Sequence, residues 1–176
     1  MDESLAEQIA RLDAVEQIRQ LAARYALAVD SRDLQTLGDL FVQDVNLGRL
    51  GKGRDALRQD FTRRLRRFTT SIHFVCNHVI DIQDGDRATG VVYTRAEHEM
   101  RGEWIVLALQ YWDTYERRDE RWYFQRRRPM PWYAVDVAGL ANGPIKMRWP
   151  DMPHAPAPLP EAWPTWGEFW KGEPET

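Results

Sequence analysis

The chain contains a single cysteine, Cys76. One thiol excludes an internal disulfide and a cysteine-cluster metal site. Set in an apolar strand pattern, Cys76 reads as a small buried side chain rather than a nucleophile. No proline precedes Pro129, so nothing in the first 128 residues interrupts long helices or sheet ladders. No apolar run reaches the length of a membrane span. The N-terminus is acidic and does not fit a secretory signal, which makes the cytoplasm the default location. A net charge of -3 lacks the basic excess of a nucleic-acid or membrane-surface binder, so neither partner is expected. There is no phosphate-binding glycine loop and no serine-nucleophile elbow. Metal ligation is not indicated either. The four histidines are His73, His78, His98 and His154, and simple alternation sends His73 and His78 to opposite faces of one strand.

What is present describes a globular domain. At 176 residues, 43% hydrophobic and 29% charged, the chain can bury one real core. Composition divides it in two. All ten prolines fall at or after Pro129, and five of the eight tryptophans at or after Trp132. We therefore expect a body over 1–130 and an extension over 131–176 that packs onto the body or a neighbouring subunit, with the stretch from Trp163 to Trp170 as an apolar anchor. In the body, Leu5, Ile9, Leu12, Ile18, Leu21, Tyr25 and Val29 recur at helical spacing. Ser31 or Asp33 can cap a second helix through Leu34, Leu37, Leu40 and Phe41. A short strand over Val45–Leu50 is expected next, then a third helix with Leu57, Phe61 and Leu65 on one face and mostly solvated arginines opposite. From Thr69 the period becomes two, predicting strands over Ile72–Ile82, Ala88–Met100, Trp104–Glu116 and Trp122–Arg128. Helices followed by a meander of long antiparallel strands is an α+β pattern. Curved around its helices, such a sheet encloses a cone whose mouth is a natural ligand site.

A few polar residues stand where apolar ones would be the bland choice. His73 shares a strand face with Ser71, Val75 and Asn77; an imidazole there is either a general base or acid, or a buried histidine satisfied by backbone. Asp30 ends the first apolar stripe; it can orient a histidine or cap the following helix. Tyr25 is a core tyrosine or a hydroxyl donor to a substrate oxygen. In the run Arg126–Arg128 a strand sends Arg127 to one face and its neighbours to the other. A guanidinium in a dry pocket would stabilise an enolate, a phenolate or a leaving anion. Tyr111 and Asp113 alternate with Leu107 and Leu109, giving a mixed apolar and polar wall. His98 shares its parity with Val92 and Thr94.

An ordered set of motifs resembles the SnoaL-like branch of the nuclear-transport-factor-two-like superfamily. It comprises the helix from Ile18 through Tyr25 to Asp30, then Asp33, Leu34, Leu37, Leu40, Phe41 and Asp44. Gly53-Arg-Asp-Ala-Leu57 and Ser71-Ile-His73-Phe-Val-Cys-Asn77 follow, and Tyr111-Trp-Asp113-Thr-Tyr115 before Trp122 completes it. The resemblance implies a cone of curved antiparallel sheet, with about three N-terminal helices closing one side. It also implies a cofactor-free lyase of the scytalone dehydratase or bile acid 7α-dehydratase type, with no metal. By the same resemblance Asp30 pairs with His73, His73 abstracts a proton, Tyr25 assists, and Arg127 is the cavity arginine, with Arg126 or Arg128 one register slip away. Tyr111, Asn77, Thr94 and His98 would contact substrate. The implied substrate is a hydrophobic, aromatic or polycyclic small molecule that loses water, or formaldehyde if it is a lignin-type diaryl compound. An isomerase or cyclase of polyketide or steroid-like ketones and a non-catalytic binding module are the alternatives. Relatives assemble as homodimers or homotrimers.

Overall fold

The computed structural model describes residues 4–139, 143–169 and 171. Helix α1 (Leu5–Asp30) begins at a capping box in which Ser4 and Glu7 satisfy each other's backbone N–H groups. Its stripe of Ile18, Leu21, Ala22, Tyr25 and Val29 is buried, but Leu5, Ile9 and Leu12 remain exposed. The apolar periodicity thus continues past the part of the helix that the core covers. Helix α2 (Leu34–Asp39) and helix α3 (Arg54–Leu65) follow. The segment expected as a strand over Val45–Leu50 is instead a loop with one 3-10 turn (Gly48–Leu50) and a lone bridge between Asn46 and Lys52. Gly48 and Gly51 take left-handed φ values there, which an extended ladder does not admit.

Strands β1 (Thr70–Ile82), β2 (Arg87–Met100), β3 (Glu103–Arg118) and β4 (Arg121–Asp136) form one antiparallel meander in that order. The fold is α+β, with the helices on the inner side of a long curved sheet. β4 continues eight residues beyond its expected end. β4 is an edge strand, so the N of Pro129 need not donate to β3, and Pro131 falls at a bulge, where Ala108 pairs with Tyr133 and Leu109 with Pro131, leaving Trp132 extra.

Two further bulges set which residues look into the cone. In β1, Val75 pairs with Thr94 but His78 pairs with Val92, so Cys76 and Asn77 together oppose Tyr93. The extra residue reverses the parity. Asn77, expected on the inner face with His73, is exposed on the outside, and His78 and Ile80 turn inward. Cys76 is exposed rather than buried, because it shares with Phe74 the outer face of β1, which nothing in the described chain covers. In β4, Thr114 pairs with Arg126 and Tyr115 with Phe124, leaving Gln125 as the extra residue. Trp122, Phe124 and Arg127 therefore share the inner face, although simple alternation separates them.

After β4 the chain folds back along its edge. Ala134 and Met147 form a parallel bridge, with Arg148 N–H donating to the Ala134 carbonyl. Trp149 is buried beside Met100, Ile105 and Ala134. Further on, Leu159 is fully buried and Trp163 packs edge-on against Trp132 at 5.1 Å. A short helix α4 (Pro164–Phe169) ends the described fold. Of the expected anchor, Trp163 packs and Trp166 is partly exposed; the Phe169 side chain and Trp170 lie outside the described residues.

Candidate active site

The cone encloses a cavity of about 1160 Å³, lined by residues of α1, α3, the loop between α2 and α3, the inner sheet face and the tail. On one wall, Asp30 and His73 meet. Asp33 rather than Asp30 caps α2, accepting the Thr36 N–H at 3.0 Å, so both oxygens of Asp30 are free for β1. Asp30 Oδ1 lies 2.7 Å from His73 Nδ1, and Asp30 Oδ2 accepts the His73 backbone N–H at 2.8 Å. Burial works to raise the Asp30 carboxyl. The His73 ring and backbone hydrogen bonds, with the His73 charge, outweigh it and hold the group below the ordinary aspartate value. An ionised carboxylate only accepts, so Nδ1 donates, and in the neutral imidazole the lone pair is on Nε2. His73 lines the cavity; Asp30 stands behind it.

Arg32 locks this arrangement. It takes a left-handed backbone conformation at φ 62° just after α1. Its Nη1 donates to the Val29 carbonyl at 2.7 Å and to Ser71 Oγ at 2.6 Å, and its Nη2 to the Phe68 carbonyl at 3.2 Å. The helix end and the start of β1 are thus tied on either side of the dyad. The sequence reading passed over Arg32. Its signal lay only in the Asp-Ser-Arg-Asp turn.

The opposite wall holds Arg127, whose side chain is 4% exposed. Its guanidinium carbon lies 4.3 Å from the Tyr25 ring centre, 4.1 Å from that of Tyr111 and 4.4 Å from that of Phe124. Asp113 takes Nε at 3.0 Å and Nη2 at 2.9 Å, leaving Nη1 as the nitrogen Asp113 does not use. Asp113 also accepts the Tyr115 hydroxyl at 2.9 Å, and that hydroxyl lies 3.0 Å from His78 Nε2. Burial raises the Asp113 carboxyl, although Arg127 and Tyr115 oppose the shift. Burial likewise raises the phenols of Tyr25 and Tyr111, keeping both as neutral donors. Gly90 makes room for this cluster: a Cβ there would lie 2.9 Å from the Val79 carbonyl oxygen and 3.1 Å from the Tyr115 ring.

His98 stands beside the dyad, its ring 5.5 Å from that of His73 and edge-on to it. It stacks on Phe68 at 4.5 Å and contacts Trp149 at 5.7 Å. Burial, then repulsion from His73, lowers it to about 4, so it is neutral near pH 7. Its Nδ1 is buried without a hydrogen-bond partner. Phe68 and Trp149 also line the cavity and were not anticipated. Trp149 lies in the proline-rich tail, where no periodicity points inward.

Tyr25, His73, His98, Tyr111 and Arg127 thus converge on one cavity, with Asp30 behind His73. Asn77 and Thr94 do not line it. They border a separate depression of about 520 Å³; the β1 bulge carries Asn77 outward, and Thr94 is buried with its hydroxyl unpartnered. Residues 10–128 match the SnoaL-like domain. The chain belongs to the SnoaL-like family. No curated protein matches this SnoaL-like chain. Among solved structures it is similar to a Type2 hexachlorocyclohexane dehydrochlorinase (LinA), with a TM-score of 0.68 and 22% identity over 82% of this chain and 99% of that one. It is similar to a LinA-type3 dehydrochlorinase from Novosphingobium barchaimii LL02, with a TM-score of 0.68 and 22% identity over 76% and 96% of the two chains. It is also similar to a Novosphingobium aromaticivorans DSM 12444 protein provisionally named scytalone dehydratase, with a TM-score of 0.65 and 25% identity over 81% and 99%. These likenesses carry the fold.

Proposed function

We propose that this SnoaL-like chain is a cofactor-independent lyase acting on a hydrophobic, aromatic or polycyclic small molecule. The observation that carries the reading is the 2.7 Å contact between His73 Nδ1 and Asp30 Oδ1, with His73 facing a mostly apolar cavity. His73 Nε2 takes a proton from carbon. Asp30 holds the tautomer and stabilises the imidazolium that forms. The electron pair left behind is delocalised onto a substrate oxygen, which the neutral Tyr25 and Tyr111 hydroxyls and Arg127 Nη1 are suited to stabilise. Hydroxide then leaves and is protonated to water. If the base instead takes the O–H proton of a hydroxymethyl group, the adjacent carbon–carbon bond breaks, formaldehyde departs, and the electron pair left on carbon expels the hydroxyl of the neighbouring carbon, which takes the imidazolium proton and leaves as water, as a lignin-type diaryl propanediol would allow. Neutral His98 serves as a further hydrogen-bonding partner for substrate. The names dehydrochlorinase and dehydratase among the similar structures support an elimination. The exposed Ile72, Phe74, Val75 and Val79 on β1 support a homodimer or homotrimer that covers them.

The test is incubation with aromatic β-hydroxy ketones and diaryl propanediols, with products read by mass spectrometry. Loss of water or formaldehyde that disappears in a folded His73→Ala variant supports the lyase. A product of unchanged mass identifies an isomerase. Undiminished turnover in His73→Ala ends the reading.

A further inference from the structure

The charges around the cavity mouth are unevenly matched. Five cationic side chains line the cavity: Lys52, Arg64, Arg118, Arg126 and Arg127. Three are neutralised, Arg64 by Asp60 at 2.7 Å, Arg118 by Asp44 at 2.6 Å and Arg127 by Asp113 at 2.9 Å. Those pairs also use up Asp44 and Asp60, the two carboxylates that line the cavity. Lys52 and Arg126 form no ion pair among the described residues. The surplus is local, because the whole chain carries a net charge of -3. At a partly enclosed mouth it attracts anions, and because both side chains reach solvent the attraction is screened by salt.

Both cations are held by the backbone. The loop carrying Lys52 is fixed by the Asn46–Lys52 bridge, by Val42 N–H on the Phe124 carbonyl at 3.0 Å and by Gly53 N–H on the Val45 carbonyl at 2.8 Å. Arg126 follows the Gln125 bulge and pairs in register with Thr114. Thr114 also lines the cavity, and its hydroxyl is buried with no hydrogen-bond partner among the described residues. A buried hydroxyl of that kind calls for an acceptor or donor. A guanidinium and an ammonium lining one cavity suit a planar oxyanion. The interior beyond them is built of aromatic and aliphatic side chains.

We propose that the substrate is amphiphilic: a hydrophobic aromatic body bearing a carboxylate, with Arg126 and Lys52 binding the carboxylate at the mouth while the body reaches His73. Arg126 is then a specificity-determining residue rather than a catalytic one. This rests on the reading of the cone as the substrate site, and it adds a charge to a substrate class otherwise defined only by its apolar part.

The experiment compares 2-naphthoate with 2-naphthamide, two probes of nearly equal shape that differ in charge. Affinity is measured by calorimetry, and entry into the cone by the emission change of Trp149, isolated by difference from a Trp149→Phe variant. The carboxylate should bind about tenfold tighter than the amide, as one added charge-assisted hydrogen bond predicts. Raising salt should narrow the gap, and His73→Ala should preserve it. Arg126→Gln should remove most of the preference without weakening amide binding, and Lys52→Gln should remove part. Equal binding of the two probes by the wild-type chain, or a preference unchanged in the double variant, overturns the proposal while leaving the cone as substrate site intact. If neither probe alters Trp149 emission, the substrate-site reading falls and takes the proposal with it.

Discussion

Two carboxylates stand behind the wall of the cavity, and their surroundings send them in opposite directions. Asp30 keeps a quarter of its side chain in solvent, accepts two hydrogen bonds from one histidine, and is held below its usual titration range. Asp113 is wholly sealed, bound to Arg127 within a ring of three aromatic side chains, and is pushed up by burial. The first geometry keeps a charge available beside a proton acceptor that reaches the pocket. The second fixes a cation in place and cancels most of its charge. Arg127 thus looks on sequence like an anion clamp, but in three dimensions Asp113 takes two of its three nitrogens and leaves only Nη1.

The contrast is broken most severely at the sealed pair. Asp113→Ala should leave Arg127 uncompensated and lower stability by about 3–5 kcal/mol, read by chemical denaturation. The double variant Asp113→Ala with Arg127→Met should recover much of that loss. A near-neutral single variant would show that Arg127 does not depend on Asp113 for its charge compensation. Acid sharpens the same comparison. The native His98 value of about 4 lies below the unfolded value near 6.5, so protonation favours the unfolded chain. Stability should be fully present above about pH 6.5 and fall as pH drops toward 4, by roughly 3 kcal/mol from this group. His98→Asn should flatten that slope in denaturation curves taken across the window. The smallest stability change is expected at Asp30. Because its carboxylate reaches solvent, Asp30→Asn should cost only about 1–2 kcal/mol of stability, while turnover falls on the order of 10²-fold or more through the wrong histidine tautomer.

Periodicity revealed the helices, the four-stranded meander and the apolar stripe of α1, since each follows from which side chains must leave water. The pairing of Asp30 with His73 came from resemblance. Helical spacing alone sets Asp30 well off the Tyr25 face, and only the coordinates show that it reaches across to the β1 backbone. The bulges at Cys76–Asn77 and at Gln125 were not legible, because no residue type there demands an extra position. Each flips the parity of everything beyond it. Asn77 was misplaced for that reason, His78 was assigned the wrong face, and the Asp113–Arg127 partnership went unseen. Trp149 was hidden differently: a tail without period gives no sign of which aromatic turns inward.

That tail has a consequence for how such a pocket can diversify. The wall that holds Asp30 and His73 is written in α1 and β1, whereas Trp149, which lines the chamber too, is delivered by chain that follows the last strand. Exchanging the segment around Trp149 would lengthen or shorten the chamber while the chemistry upstream stayed as it is, so reach and reactivity can be tuned from separate stretches of the same gene.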